Sequence, residues 1–290
     1  MFVIENTISA IKSYMFDKLY GYYSEREINY FFKNAVCNRL NLVDAEFLLA
    51  ENNRLSESDL LFFRNVVKRL QNSEPFQYII GETWFYDLKF KCDKRALIPR
   101  PETEEMVDLI LKEHKKSVDL KVVDLCSGSG CITVVLAKNL INASVIGVEL
   151  SQEAIDLSRK NALLNHANVS FIFGNVLEDL PTEIENNSID ILVSNPPYIP
   201  LKDKDNMEKN VLDFEPHMAL FVADDNPLVF YKKIADQAII KLKETGVLYL
   251  EIHEKLAIET KQILVNKGFL NVLIIKDLQG KDRIIKASLK

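Results

Sequence analysis

Glycine and proline are scarce in this chain, nine of each in 290 residues, roughly 3% where averages are about 7% and 5%. Collagen-like, linker-like and low-complexity classes are thereby excluded. Cysteine is scarce too: Cys37, Cys92, Cys126 and Cys131 form no CxxC pair. Four scattered thiols in a chain of this length predict reduced residues, with neither a disulfide framework nor a metal site. No window approaches 18 uninterrupted apolar residues, so no membrane-spanning helix is expected. Residues 1–6 break their apolar run with Glu5 and lack the basic stretch and small-residue cleavage site of a secretory signal, which predicts a cytoplasmic protein. An excess of positive charge is also missing. The 36 Lys and Arg against 42 Asp and Glu give a net charge of -6, and the first 80 residues carry 9 basic and 10 acidic side chains. Neither part is the basic footprint of a protein that grips phosphate backbones.

What is present is enough apolar material for a core near its practical upper size, so one domain of about 200 residues plus a smaller one is expected. In the first 75 or so residues apolar positions recur at helical spacing: Ile8, Ile11, Met15, Leu19, then Ile28, Phe31, Phe32, Ala35, Val36, then Leu60, Phe63, Val66, Val67, Leu70. Ser24 with Glu27 forms a capping box, and Ser56 with Asp59 a weaker one. A small helical bundle over residues 1–80 follows. Over residues 81–99 aromatic and β-favouring residues with near-alternation predict a hairpin connector. Pro99 and Pro101 then fix an extended stretch, and the acids after them suit a helix N-terminus; Arg100 and Glu102 either line a site or serve that conformation. Over residues 100–290 short apolar strands at 122–125, 145–150, 170–173 and 189–193 alternate with helical stretches, the signature of a doubly covered, mostly parallel sheet. A helix is expected from the Asn226-Pro227 pair to Gly246, followed by a strand at 247–252. Runs at 272–275 and 284–285, joined by a polar turn, predict an antiparallel final pair.

Chemistry-bearing residues fall where this alternation places strand ends. Asp124, Cys126, Ser127, Gly128, Ser129 and Gly130 join the first strand to its helix, the place where open α/β sheets bind nucleotides. Thr133 stands where a dinucleotide fingerprint needs Gly or Ala, which counts against a pyrophosphate ligand. Glu149 ends the next strand, where a carboxylate accepts from both hydroxyls of a ribose or serves the helix after Ser151. Asn175 and Val176 end the third, at an adenine edge or in a simple turn. The most specific feature follows the fourth strand: Asn195-Pro196-Pro197-Tyr198. The prolines restrict the backbone around them, so the Asn195 side-chain oxygen and the Pro196 carbonyl are two acceptors for the hydrogens of an –NH₂ group, and Tyr198 offers a ring for a planar amide or base. Two such acceptors turn the nitrogen lone pair toward an electrophile and stabilise the positive charge that grows on it.

These residues resemble the HemK/PrmC family of protein-(glutamine) methyltransferases. The matching stretches are residues 75–81, 97–104, 124–132 and 195–198, Glu215-Pro216 with Ala219-Leu220, and residues 277–283. The resemblance implies a class I, Rossmann-like methyltransferase domain behind a helical domain that helps recognise the substrate. It implies methyl transfer from S-adenosylmethionine to the glutamine of the Gly-Gly-Gln motif in class I peptide chain release factors, by a monomer. It also implies that residues 126–130 and Glu149 hold the cofactor, that Asn175 and Val176 lie at the adenine, that Asn195 serves cofactor and substrate, and that Pro196, Pro197 and Tyr198 hold the glutamine. Several positions depart from the pattern: Cys126 replaces a common Gly, Glu149 and Asn175 replace Asp, residues 222–226 replace a Gly-rich segment, and His253 and Leu256 replace Gly and Gln. Two rivals remain. One is a methyltransferase for the exocyclic amine of adenine, which the acidic balance disfavours. The other is a noncatalytic nucleotide-binding protein, which leaves Asn195–Tyr198 unexplained.

Overall fold

The computed structural model describes residues 5–290, so the expectation for residues 1–4 lies outside the described part. Two compact units divide the chain. One comprises the residues up to Gly81 together with Lys209–Phe214, the other Glu82–Glu208 with Glu215–Lys290.

The first unit contains α1 (Ile8–Leu19), α2 (Glu25–Leu40), α3 (Asp44–Leu49), α4 (Glu57–Gln71) and α5 (Phe76–Ile80). Helical spacing puts Ile8, Ile11, Met15 and Leu19 on one face of α1, and they bury against Ile28, Phe32 and Val36 of α2 and Phe63, Val66 and Val67 of α4. Both predicted capping boxes form. The Ser24 hydroxyl accepts from the Glu27 amide while the Glu27 carboxylate accepts from the Ser24 amide. Ser56 and Asp59 exchange the same pair of bonds, each cap stabilising its helix by about 1 kcal/mol.

The larger unit begins with the hairpin β1 (Glu82–Phe85) and β2 (Leu88–Lys91), followed by α6 (Pro101–Glu113), β3 (Lys121–Leu125), α7 (Cys131–Asn139), β4 (Ser144–Glu149), α8 (Gln152–Leu164), β5 (Ser170–Phe173), β6 (Ile189–Ser194) and the two-residue β7 (Ile199–Pro200). After α9 (Lys209–Phe214), which clusters with the first unit, come β8 (Phe221–Val222), α10 (Val229–Lys241), β9 (Leu242–Glu251), α11 (Ala257–Asn266), β10 (Leu270–Lys276) and β11 (Asp282–Ser288). The main sheet has the order β10-β11-β9-β6-β3-β4-β5. It is parallel from β9 through β5, and β11 and β10 are added antiparallel. The expected class and its antiparallel final pair are therefore present. Because β4 and β5 extend to one side of β3 and β6 and β9 to the other, the crevice of the fold lies at the carboxyl end of β3.

Two local features differ from the sequence pattern. The hairpin turns at Tyr86 and Asp87, both with positive φ (48° and 59°), the geometry of a type I′ turn without its usual Asn or Gly. The Tyr86 amide donates to Glu104 and its hydroxyl to Asp108, so α6 holds the turn. Phe85 and Phe90 are buried with Met106, Val107 and Ile110, which makes the hairpin part of the larger unit's core. The second difference is α10. It starts at Val229 without a side-chain cap and ends at Lys241, not at Gly246. Gly246 lies inside β9, at an irregularity where the register against β6 jumps from Leu242 to Val247. A Cβ on Gly246 would sit 2.8 Å from the Ile189 carbonyl oxygen. Close backbone approach, and not helix termination, is what this glycine serves.

Candidate active site

The carboxyl ends of β3, β4 and β6 open on a cavity of about 190 Å³. Residues 126–129 leave β3 in a tight turn with φ values of 61° at Cys126 and 54° at Gly128. Gly130, at φ 79°, closes the turn, and a Cβ there would stand 2.9 Å from Phe171 and from Ser158. The turn is tied to the next strand, the Ser127 amide donating to the Val148 carbonyl at 3.1 Å. Glu149 completes this end. Its Oε2 accepts from the Gly128 amide and its Oε1 from the Ser151 amide, both at 2.9 Å. The same carboxylate thus braces the loop, serves the start of α8 and lines the cavity.

Not every predicted residue reaches the cavity. Cys126, Ser127, Gly128, Ser129, Glu149, Asn175, Val176, Asn195 and Pro197 line it, whereas Asp124, Gly130, Pro196 and Tyr198 do not. Asp124 is fully buried, and its Oδ2 accepts from the Thr133 amide (3.2 Å) and hydroxyl (2.6 Å). Burial pushes its carboxyl up to about 7 against the pull of those two bonds. Its role is to fasten α7 to the end of β3. The Asn175 side chain is also engaged locally, its oxygen accepting from the Leu177 amide and its NH₂ donating to Glu178. Here the turn reading holds for the side chain, while residues 174–177 supply cavity wall. Cys126 packs at the edge of the sheet core, and burial raises its thiol well above the usual range, so it is a neutral wall group.

At the other end, Ser194 donates from its hydroxyl to the Leu125 carbonyl at 2.7 Å, pinning the last residue of β6 to the last residue of β3. Asn195 therefore leaves the sheet beside the turn that follows β3. Its Nδ2 donates to the Thr103 hydroxyl at 3.1 Å. Tyr198 donates to Glu251 at 3.1 Å, and its ring meets His253 edge-on with centroids 6.0 Å apart. Burial raises the Tyr198 phenol, which keeps it a neutral donor. His253 also accepts from the Lys255 amide, and its ring is a packing partner for Tyr198.

Two residues that sequence reasoning did not single out stand in this cluster. Thr103 and Glu251 are 3% and 1% exposed and are joined by a 2.6 Å hydrogen bond across 148 positions. The available signal for Glu251 is an acid closing the apolar run Leu248-Tyr249-Leu250, an unusual place for a charge in a central strand. Arg100 serves conformation as well as lining the cavity. It pairs with the buried Glu215 carboxylate, which also accepts from the Ile98 amide at 3.1 Å and so fixes the Pro-bounded stretch.

The donor set suits a nucleoside with an aliphatic arm. The Glu149 carboxylate could accept from ribose hydroxyls, apolar Leu150, Val176 and Leu177 line the same cavity, and the turn after β3 carries a glycine. Among the described residues no helix is long and apolar enough to cross a membrane.

Comparison with known proteins agrees with this geometry. Residues 116–269 match the family described as a methyltransferase domain, and residues 35–81 match the PrmC N-terminal domain. A release factor glutamine methyltransferase of Flavobacterium psychrophilum is 42% identical over 271 residues, covering 92% of this chain and 94% of the relative. One of Bacteroides thetaiotaomicron is 37% identical over 281 residues, covering 97% and 100%. Among solved structures, a methyltransferase from Pyrococcus furiosus aligns with a TM-score of 0.51 at 18% identity, covering 70% of this chain and 90% of that one. That likeness concerns the fold.

Proposed function

The chain belongs to the family of release factor glutamine methyltransferases, and from that premise we propose that its Asn195-Pro196-Pro197-Tyr198 site methylates the Gln side chain in the Gly-Gly-Gln motif of class I peptide chain release factors. The donor is S-adenosylmethionine, held by residues 126–129, Glu149, Asn175 and Val176, with Gly130 closing the turn behind them. The observation that carries this reading is the position of Asn195, at the end of β6 and on the same cavity as Glu149 and the turn after β3. What S-adenosylmethionine supplies when bound is a methyl on a positively charged sulfur, released to a nucleophile as the sulfur becomes a neutral thioether. The chain's own residues must make the amide nitrogen a competent nucleophile.

An amide lone pair is delocalised into its carbonyl. Accepting both N–H bonds, at Asn195 Oδ1 and the Pro196 carbonyl, turns the nitrogen toward the donor end of the cavity and stabilises the positive charge that builds on it. No strong base is needed beforehand, because the nitrogen proton becomes acidic once the N–C bond has formed. Tyr198, its hydroxyl engaged by Glu251, contributes its ring. The helical residues 1–80 recognise the release factor, and the protein acts as a cytoplasmic monomer without a nucleic-acid substrate; the net charge of -6 supports that last point.

The test is label transfer from methyl-labelled S-adenosylmethionine to release factor, to release factor with the motif Gln replaced, and to DNA and RNA. Label in intact release factor only is expected. Label in nucleic acid alone would favour adenine methylation, and no label anywhere would favour the noncatalytic reading.

A further inference from the structure

Asn195 can accept from a substrate amide only if the correct end of its own amide faces the cavity, since the oxygen accepts and the NH₂ donates. Nothing within the Asn195–Tyr198 motif chooses between the two ends. The choice is made by side chains brought from α6 and β9. Glu251, the last residue of β9, has a buried carboxylate whose Oε2 accepts from the Thr103 hydroxyl at 2.6 Å and whose Oε1 accepts from the Tyr198 hydroxyl at 3.1 Å. A hydroxyl carries one proton. That of Thr103 is committed to Glu251, so Thr103 presents only lone pairs to Asn195, and Asn195 meets them with its NH₂ at 3.1 Å. The reversed amide would set two acceptors against each other at a Thr103 hydroxyl that is buried, at a cost of about 1–3 kcal/mol.

We infer that Thr103 and Glu251 are positioning residues for methyl transfer: a one-way chain of hydrogen bonds, Asn195 to Thr103 to Glu251, with Tyr198 donating to the same carboxylate, locks Asn195 Oδ1 toward the substrate amide and holds the Tyr198 ring in place. This inference rests on the methyl-transfer reading above. The competing account is that Glu251 is only a buried acid satisfied by whatever hydroxyls are near it. The two accounts separate because an anchor for packing affects stability and binding together, whereas orientation of Asn195 is used chiefly when charge develops on the substrate nitrogen.

The experiment compares wild type, Thr103→Val, which removes the hydroxyl at nearly constant volume, and Thr103→Ser, which keeps it. For each full-length protein kcat and KM with release factor are measured, together with the dissociation constant for S-adenosylhomocysteine by calorimetry and the thermal midpoint. Thr103→Val is expected to lose about 30-fold or more in kcat, with KM and the dissociation constant changed by less than about 3-fold. Thr103→Ser is expected to recover to within about 5-fold of wild type. Should the Val protein not fold, Thr103→Ala removes the same hydroxyl without placing a methyl against the carboxylate and is held to the same expectation. A kcat for the hydroxyl-free variant within about 3-fold of wild type overturns the inference, as does equal impairment of the Ser variant, or loss of kcat matched by loss of S-adenosylhomocysteine binding. Those outcomes leave the function standing when wild type methylates release factor; a wild type inactive on release factor overturns the function and this inference with it.

Discussion

Single residues at this site are constrained by backbone geometry as much as by chemistry. Cys126 occupies a left-handed conformation at φ 61°, which costs a residue with a Cβ about 1–2 kcal/mol. Cys126→Gly relieves that strain and loses a little packing, so its thermal stability should remain within about 1 kcal/mol of wild type. Cys126→Val adds a β-branch in the same conformation and is expected to lose about 2 kcal/mol or more and to weaken S-adenosylhomocysteine binding, both readable by denaturation and calorimetry. Asn195→Ala removes an acceptor aimed at developing charge. Its kcat with release factor should fall about 10²–10³-fold in single-turnover assays, while a fall of less than about tenfold would contradict its assigned role.

Among elements, the hairpin shows how local sequence and tertiary support divide the work. Its strands are legible from aromatic and β-branched residues, but its turn is not, because Tyr86 and Asp87 carry positive φ without a glycine signal and are held by Glu104 and Asp108 of α6. Asn161 of α8 makes a second long-range tie. Its side chain accepts from the Lys91 amide at 2.6 Å and donates to the Lys91 and Ser129 carbonyls, joining the hairpin to the loop that lines the cavity. Asn161→Ala removes three hydrogen bonds to the backbone, one of them, to the Ser129 carbonyl, buried, a loss of about 2–4 kcal/mol expected in urea denaturation. Faster hydrogen exchange at the Lys91 amide would locate the loss, and unchanged exchange there would show that the tie is redundant. The misplaced end of α10 has the same origin: a glycine after a helical run normally marks a C-terminus, but Gly246 is required by the Ile189 carbonyl that faces it from β6.

For the whole molecule, buried acids couple stability to pH. Asp124 holds its proton up to about pH 7 when folded because of burial, whereas an unfolded Asp releases it near about 4. Between those values the native state binds more protons than the unfolded state, so this group's contribution to stability declines as pH rises and is complete only below the unfolded value. Asp124→Asn keeps an acceptor for Thr133 and cannot ionise. Its stability relative to wild type should therefore increase from about pH 5 to about pH 8 in paired denaturation curves; a constant difference would mean that Asp124 does not titrate in this range.

Periodicity, scarce glycines and prolines, and one short motif were enough to establish the α/β class, the antiparallel final strands and the helical first unit, and to single out Asn195-Pro196-Pro197-Tyr198 as the candidate site motif. Those are local properties: the repeat of apolar side chains follows from helix or strand geometry, and Asn195-Pro196-Pro197-Tyr198 carries its acceptors and its backbone restriction within four positions. The direction in which Asn195 points its oxygen, the use of Glu149 as a brace for Gly128 and Ser151, and the withdrawal of Asp124 from the cavity were decided only by the folded chain. The first depends on Thr103 of α6 meeting Asn195 across 92 positions, the second on Glu149 reaching the Gly128 amide from the neighbouring strand, and the third on Thr133 at the start of α7 folding back on Asp124. A proton committed to one acceptor is unavailable to another, and that allocation exists only once the strands are side by side.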